Sequence, residues 1–381
     1  TTSCDQVAQN TGNLDSTGLG TVLFFIRTHV PRLNFGTIIA DALDNLFNNP
    51  VTQRTITGIT QVAPIVFKTH PDKSDWNLYT GGWFLGTFPD ALYALFYSQF
   101  ASSNCGGKLS TFGQNYPFYC SPAFDKSAYA GQFSTTIASS YAGFADAAII
   151  GHRDVMDVPV YSGSGNRFVA LDGFDGQINV AGHGLQAKFW NYLNLRQQPG
   201  YTPTQSKYTP GGGDPNLARI GMREGTQHLS MFHATTVWDF DVLTALYDSM
   251  LASNPLNPTQ VFDWMTTSHT VSSYSGSSPG SNIACPVAMC TLLRFNLRND
   301  INWHDGQPVT PADVIFSILK YRDIPSANLQ PSVVDVVNAV QVGTKTVDVA
   351  LKGVSVFFEL NIGGVPIIPS HIWGAFSNAQ L

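Results

Sequence analysis

The strongest constraint on the fold is the stretch Leu293–Asp323, in which two different periodicities follow one another. The stretch opens with alternating apolar and polar residues, a period of two that predicts a strand with one buried face; its apolar positions are Leu293, Phe295 and Leu297. The second half changes to the spacing of one helical face, with apolar residues at Val314, Ile315, Ile318 and Leu319. The sequence therefore predicts a strand, a connection and a helix.

The connection between the two predicted elements carries turn and capping signals. Asn299-Asp300 allows a turn, and the segment Ile301–His304 is expected to form a short return strand that Asp305-Gly306 closes. Thr310 is expected to cap the helix, with Pro311 at its first position, where a missing N–H is harmless.

The composition of the 381-residue chain is that of a globular protein with a polar, weakly charged surface. Hydrophobic residues make up 43% and charged residues 12%, and the formal net charge is -6. This balance argues against nucleic acid and anionic membranes as partners. No apolar run approaches the roughly 20 residues of a membrane helix, since Thr21–Ile26 is far too short. We therefore expect any signal peptide or anchor to lie outside these residues.

The five cysteines predict two local disulfides and one unpaired residue. Cys105 with Cys120, and Cys285 with Cys290, each lie close together in a loop-rich segment. Both pairs are too isolated, and too far from histidine, to predict a zinc site. Two disulfides in an exported protein is the preferred interpretation, with free thiols as the alternative. The remaining Cys4 would pair with a segment outside the sequence or carry a lipid anchor.

The order of the predicted elements indicates an α/β fold. A strand at Thr21–Thr28, a helix at Asn34–Phe47 and a strand at Gly58–Phe67 suggest a parallel βαβ unit. Two helices are expected at Pro122–Phe133 and Ile137–Val155. Residues 197–217 lack any periodicity and are rich in Pro, Gly, Thr and Tyr, which predicts a linker.

Three strings of the sequence are similar to those of a known family. The string FNLRNDINWHDGQPVTPADVIFS resembles the signature of the peptide- and nickel-type solute-binding proteins of ABC importers. VPIIPSHIW at Val365–Trp373 is similar to a second box of that family, with Ser370 in place of its usual lysine. Upstream, GITQVAPIVFKTHPDKSDWNLYTGGW resembles the family's second lobe. The resemblance implies a two-lobed, periplasmic-binding-protein-like α/β fold with mixed sheets.

The order of these segments is rearranged relative to the family. Material similar to the second lobe precedes material similar to the first, and the family continues where this chain stops. We therefore expect residues 1–196 to form a second-lobe-like domain and residues 197–217 a linker. Residues 218–381 are expected to form an incomplete first-lobe-like domain.

The resemblance also implies a set of ligand-binding residues between the lobes. The tryptophan of the family's Gly-Trp motif lines the cleft, which corresponds here to Trp83, with Phe84 beside it. Peptide binders place an aspartate three positions later to hold the peptide ammonium, but Gly86 occupies that position. Thr236 and Trp238 fall where the first lobe's cleft-facing loop is expected. For both tryptophans, packing in a core is the alternative.

The sequence does not favour an enzymatic function. The segment Gly276–Gly280 matches a G-x-S-x-G nucleophile elbow. However, Pro279 follows the serine and has no N–H for an oxyanion hole, and no helix is predicted after it. The histidines show no metal-ligand spacing. No catalytic set, metal site or cofactor is therefore expected.

The preferred interpretation is an extracellular or periplasmic, cell-surface associated solute receptor. It would bind a small polar ligand, a peptide or oligosaccharide, by lobe closure and deliver it to an ABC transporter permease. The alternative is a cell-surface structural protein that has kept this fold and uses it for self-association.

Overall fold

The computed structural model describes most of the chain. The described residues are 21–47, 50–66, 76–83, 88–101, 115–161, 174–180, 184, 188–199, 220–222, 225–324 and 329–381. The chain divides into two compact units, Thr1–Ser162 and Gly163–Leu381. Residues 200–217 of the predicted linker lie outside the described residues, so the predicted domain boundaries stay a prediction.

The first unit begins with a three-stranded parallel sheet in the order β2-β1-β3. Its strands are β1 (Val22–Arg27), β2 (Thr52–Thr57) and β3 (Leu78–Tyr79), and helix α1 (Arg32–Leu46) connects β1 to β2. Both β2 and β3 pair with β1 in parallel. The parallel βαβ unit expected from the sequence is therefore present.

The return strand of this unit lies earlier than the sequence predicted. The segment expected as a strand, Gly58–Phe67, contains helix α2 (Ile59–Val66), and the strand is β2. The physical reason is the spacing of the apolar residues: Ile59, Val62 and Val66 recur at three- and four-residue intervals and are all buried.

Helix α1 packs closely on the sheet because it carries a glycine at the contact. A Cβ added at Gly36 would lie 2.5 Å from Ile26 Cγ2 and 2.9 Å from Thr80 Cγ2. Only a residue without a side chain allows this approach of helix and strand.

Most of the described residues after β3 in the first unit are helical. Helix α3 (Ala91–Phe96) leads into a 3₁₀ turn (Ser98–Phe100), and α4 (Pro122–Gln132) and α5 (Ile137–Asp154) follow. These helices enclose a core rich in aromatic side chains, with Tyr93, Phe96, Phe100, Phe124 and Phe144 buried. The helices expected near 122–133 and 137–155 are confirmed.

The second unit starts with short elements. Strands β4 (Phe174–Asp175) and β5 (Arg196–Gln197) pair with each other and flank helix α6 (Lys188–Asn194). Helix α7 (Val237–Leu246) is followed by the antiparallel pair β6 (Leu251–Ser253) and β7 (Val261–Asp263).

A four-stranded antiparallel sheet in the order β10-β11-β9-β8 forms the centre of the second unit. Its strands are β8 (Thr266–Tyr274), β9 (Cys290–Leu297), β10 (Val336–Gln341) and β11 (Thr346–Lys352). Helix α8 (Pro311–Asp323) packs against β10 and β11. Among the described residues of this unit there are also three short helices, α9 (Gln330–Val333), α10 (Phe358–Gly363) and α11 (Ser370–Trp373).

The strand and the helix predicted from residues 293–323 are therefore both present. The expected return strand is reduced to one bridge between Asn302 and Pro308, inside a turn closed by the hydrogen bond from Gly306 N to Trp303 O (2.9 Å). With a parallel sheet in one unit, antiparallel sheets in the other and helices in both, the chain is of the mixed α/β class, as expected. Within the described residues, no helix has both the length and the apolar character that crossing a bilayer requires.

Candidate functional site

Two of the three strings that resemble the solute-binding family, the one that contains Asp313 and the one at Val365–Trp373, meet in space at the carboxylate of Asp313. This side chain is buried in the first turn of α8. Its Oδ2 accepts from Thr310 N (2.8 Å), Thr310 Oγ1 (2.9 Å) and Trp303 Nε1 (3.3 Å). Its Oδ1 accepts from Ser370 N (2.8 Å) and Ser370 Oγ (2.7 Å). The residue that replaces the family's usual lysine thus donates twice to a buried carboxylate.

Two further contacts join the same strings. Ser317 Oγ in α8 accepts from Ile368 N at 2.9 Å, and His371 Nε2 lies 2.7 Å from Asp305 Oδ2. Because each polar group points at another part of the motif, these residues form a structural junction. The most recognisable part of the sequence therefore builds the scaffold.

The predicted ligand residue Trp83 lies at the carboxyl edge of the parallel sheet. In parallel α/β sheets, ligands bind outside the carboxyl ends of the strands. Trp83 follows β3 after Thr80 and two glycines, and 36% of its surface is exposed. Its ring stacks on Tyr116, with centroids 5.3 Å apart and planes 15° apart. The exposed indole thus rests on a buried aromatic base.

Two arginines lie at the same edge of the sheet. Arg27 ends β1 and is buried; its Nη1 donates to Tyr79 Oη at 3.2 Å, and its backbone N donates to Thr80 Oγ1 at 2.9 Å. Arg32 opens α1, and its guanidinium lies against Gly82, where an added Cβ would be 2.8 Å from Cζ. We name Arg27, Arg32, Tyr79, Trp83 and Tyr116 the sheet-edge site. Burial, the larger cause, and the nearby phenol of Tyr79 both raise the pKa of Tyr116, which keeps the hydroxyl of Tyr116 neutral.

Among the described residues, Asp90 is the carboxylate closest to Trp83 along the sequence. It precedes α3, and burial raises its pKa to about 6, against smaller opposing effects of hydrogen bonds from its own N–H and that of Ala91. Asp90 is therefore a poorly solvated carboxylate at a helix start. The other two predicted positions beside Trp83, Phe84 and Gly86, lie outside the described residues.

The predicted site residues of the second unit lie at the start of α7. Thr236 is buried and caps the helix, and its partner in the capping box is Asp239. Asp239 accepts four backbone hydrogen bonds, of 2.6 to 3.2 Å, from the N–H groups of Gln227, His228, Thr235 and Thr236. Burial would raise the pKa of Asp239, but these hydrogen bonds lower it to below its ordinary value.

Thr236 is thus engaged in holding the helix. Trp238 lies in the first turn of α7 and is half-buried. Ligand contact by either residue stays a prediction.

The structure contains the predicted disulfide between Cys285 and Cys290, with Cα atoms 5.7 Å apart. Cys120 is also disulfide-bonded. Because Cys105 lies outside the described residues, its pairing with Cys120 stays a prediction.

The serine of the rejected nucleophile elbow is a turn residue. Ser278 is buried, its Oγ accepts from Ile283 N at 2.8 Å, and it lies 2.7 Å from Ser281 Oγ. In the described part of the chain, no group of three His, Cys, Asp or Glu side chains is arranged to hold a metal ion.

One polar cluster was not anticipated from the sequence. His269 in β8 lies between two carboxylates, with Nδ1 2.9 Å from Asp263 Oδ1 and Nε2 2.6 Å from Glu359 Oε1. Burial lowers the pKa of His269, but the two carboxylates raise it by more, so its net shift is upward. The cluster joins residues 96 positions apart at most, so no local pattern could have revealed it.

An aromatic cluster in the second unit was also missed. Phe189 and Trp190 of α6 meet Phe262 and Trp264 edge to face, with centroids 5.2 to 6.1 Å apart. Trp190 Nε1 donates to Ser253 O at 2.8 Å, and Trp264 Nε1 donates to Asp248 Oδ1 at 3.1 Å. These bonds fix both indoles, so the cluster anchors α6 against the β6–β7 pair.

The segment that contains the structural junction is similar to a known family. Residues 291–379 match the model of the bacterial extracellular solute-binding proteins, family 5, middle region. The segment runs from β9 through α8 to beyond α11 and includes the two strings that form the structural junction. The resemblance is therefore confirmed over this part of the chain.

Among individual proteins, one curated relative is a probable peptide-binding protein YejA of Agrobacterium fabrum. It is 35% identical over 86 residues, which are 21% of this chain and 13% of the relative. The chain thus matches only a small part of that relative's length.

Two solved structures are similar over part of the chain. One is the binding protein MoaA of A. tumefaciens R10 in complex with mannopinic acid, at 25% identity and a TM-score of 0.32, covering 40% of this chain and 29% of MoaA. The other is the oligopeptide-binding protein AppA of Bacillus subtilis with a nonapeptide, at 17% identity and a TM-score of 0.31. That match covers 39% of this chain and 27% of AppA.

Proposed function

We propose that the chain is part of an extracytoplasmic solute receptor that binds a small polar ligand and delivers it to an ABC transporter permease. The observation that carries this proposal is the sheet-edge site, where an exposed tryptophan lies at the carboxyl edge of a parallel sheet. The family match over residues 291–379 supports it, as does the peptide-binding name of the curated relative. Lobe closure around the ligand, an extracellular or periplasmic location and association with the cell surface belong to the same proposal.

The proposed ligand is a peptide or an oligosaccharide, held by stacking on Trp83. An indole face offers apolar contact both to sugar rings and to peptide side chains. Peptide binders hold an ammonium group with an aspartate at the sequence position where this chain has Gly86. The nearby Asp90 is a poorly solvated carboxylate, so its charged form is disfavoured as a partner for an ammonium group. We therefore expect acetylation of a peptide's amino terminus to change its affinity little.

Calorimetry with the purified chain tests this function. Trialanine, N-acetyl-trialanine and cellotetraose are titrated into the wild type, into Trp83→Ala and into a control, Tyr141→Ala. Tyr141 is an exposed aromatic residue of the same unit, in α5. Loss of a stacked ring is expected to weaken binding by about 1 kcal/mol or more, so only Trp83→Ala should reduce affinity.

Three outcomes would contradict the proposal. Equal affinities in all three proteins would make Trp83 a packing residue, and absence of binding to any probe would remove the receptor function. Loss of binding on N-acetylation alone would show that an ammonium group is recognised after all.

Self-association is a second candidate, favoured by two exposed features. Strand β8 is an edge strand of nine residues, and edge strands offer unpaired backbone groups to another chain. Helix α1 exposes Ile38 and Leu46 by 63% and 65%. Light scattering over a hundredfold range of protein concentration tests it; filaments or concentration-dependent oligomers without ligand would favour the structural function.

A further inference from the structure

The sheet-edge site contains a cation beside its stacking surface. Arg32 is the first residue of α1, and its guanidinium lies against Gly82, one residue before Trp83. A Cβ at position 82 would collide with the guanidinium, so a glycine is required there for Arg32 to take this place. Gly81, Gly82 and Trp83 are all exposed. The guanidinium of Arg32 therefore lies beside the residue that precedes the indole, along one exposed segment.

A second guanidinium supports this segment from inside the unit. Arg27 is 2% exposed and donates to the hydroxyl of Tyr79. Tyr79 ends β3 and precedes the Thr80–Trp83 segment, and Thr80 accepts from the backbone N of Arg27. Arg27 thus fixes the end of β3, four residues before Trp83. It also places a buried positive charge beneath this exposed segment.

The chemistry of these groups favours one class of ligand group. A guanidinium carries five N–H donors in a planar fork that matches a carboxylate, so it can keep its intramolecular contacts and still bind an added anion. The adjacent indole provides an apolar face for whatever precedes the carboxylate. The chain as a whole has a net charge of -6, so the overall charge of the chain would not attract an anion to this site.

Resting on the proposed function, we infer that the sheet-edge site selects ligands bearing a carboxylate next to a group that stacks on Trp83. Arg32 contacts the carboxylate, and Arg27 is a positioning residue that acts through Tyr79. The carboxylate can be the carboxyl terminus of a peptide or the acid group of a uronic sugar.

Matched probes that differ only in this charge test the inference. Trialanine is compared with its carboxyl-terminal amide, and tetragalacturonic acid with its methyl ester, by calorimetry on the full chain. The variants are Arg32→Met and Gly82→Ala, with Arg153→Met as the matched control. Arg153 is a 59% exposed arginine at the end of α5 in the same unit.

In the wild type, one acid is expected to bind at least about 10-fold more tightly than its uncharged partner, as a charge-assisted hydrogen bond implies. Arg32→Met and Gly82→Ala should remove most of this ratio, while Arg153→Met keeps it. Which acid shows the ratio distinguishes a peptide terminus from a sugar acid. Tyr79→Phe removes the hydroxyl to which Arg27 donates and should lower the ratio as well.

The inference and the proposed function fail in different ways. If acid and uncharged probes bind equally well, or if Arg32→Met keeps the ratio, the inference is overturned and the receptor function stands. If no probe binds, both fail. If Gly82→Ala alone keeps the ratio, the guanidinium is not held by the glycine and the site's geometry is contradicted.

Discussion

At the scale of single residues, the geometry around His269 requires its imidazole ring to carry two protons. A neutral imidazole has one N–H, yet both ring nitrogens of His269 lie within 2.9 Å of a carboxylate oxygen. Both contacts are favourable only when the ring carries two protons. The imidazolium then joins β7, through Asp263, to α10, through Glu359.

The protonation of His269 predicts a stability that falls as the pH rises. The folded protein holds this proton more tightly than the unfolded chain, because its pKa is raised. The stabilisation is therefore complete below the unfolded pKa of about 6.5 and is lost as the pH rises through the higher folded value. Urea unfolding between about pH 5.5 and 8.5 measures this. His269→Gln should flatten the dependence, whereas His304→Gln, at an exposed histidine, should not; equal curves for the wild type and His269→Gln would refute the prediction.

The carboxylate of Asp313 predicts a large loss of stability on a nearly isosteric change. In Asp313→Asn the amide nitrogen would replace one of the two carboxylate oxygens. The N–H and O–H groups of Thr310 or of Ser370 would then lose their hydrogen-bond acceptor. Each such group costs about 1–3 kcal/mol, so we expect a loss of about 3 kcal/mol in the free energy of unfolding. Urea unfolding tests this, with Asp323→Asn, an exposed aspartate at the end of the same helix, as the control. A loss below about 0.5 kcal/mol, the range of ordinary surface changes, would show that the junction contributes little.

At the scale of elements, the two faces of α1 are expected to differ in their response to substitution. Gly36→Ala places a methyl group against Ile26 and Thr80, and overpacking of this kind costs about 1–3 kcal/mol. Ile38 is 63% exposed, so Ile38→Ala should change stability by less than about 0.5 kcal/mol. Thermal unfolding of both variants measures the difference. A large loss for Ile38→Ala would mean that this face is covered in solution.

The disulfide Cys285–Cys290 is expected to stabilise the loop that precedes β9. It closes a short loop of five residues' separation, for which the chain-entropy relation gives about 2 kcal/mol. Mass spectrometry of unreduced digests checks this pair and the predicted pair Cys105–Cys120. The double variant Cys285→Ala/Cys290→Ala should unfold at lower urea than the wild type in oxidising buffer and match it under reducing conditions. Free thiols at all four positions would remove the support for an oxidising compartment.

At the scale of the whole molecule, we expect that residues 20–190 and 219–381 are not two independent receptors. The first unit leaves Ile38 and Leu46 of α1 and Ile56 of the edge strand β2 exposed, and the second leaves β8 as an edge. Each half expressed alone should therefore associate at rising concentration, as analytical ultracentrifugation would detect. Two soluble monomers that each unfold cooperatively and bind ligand would show that the prediction is wrong.

The sequence by itself determined those features that depend on neighbouring residues. The strand at 293–297, the capped helix from Pro311 and the short-range disulfide all follow from local periodicity, capping chemistry and spacing. The family resemblance belongs here too, because a literal string of residues carries it. Trp83 was also singled out in this way, although the sequence left open whether it packs or binds.

Only the tertiary structure decided which distant groups meet. The strand expected at Gly58–Phe67 is a helix, because short apolar runs fit either period until a sheet or a core selects one. Arg32 gains its place at the sheet edge from Gly82, 50 residues away, and His269 gains its second carboxylate from α10. Such contacts form when strands and helices pack, and their free energy depends on burial and on the partner's direction. The spacing of residues along the chain specifies neither the burial of a group nor the direction of its partner.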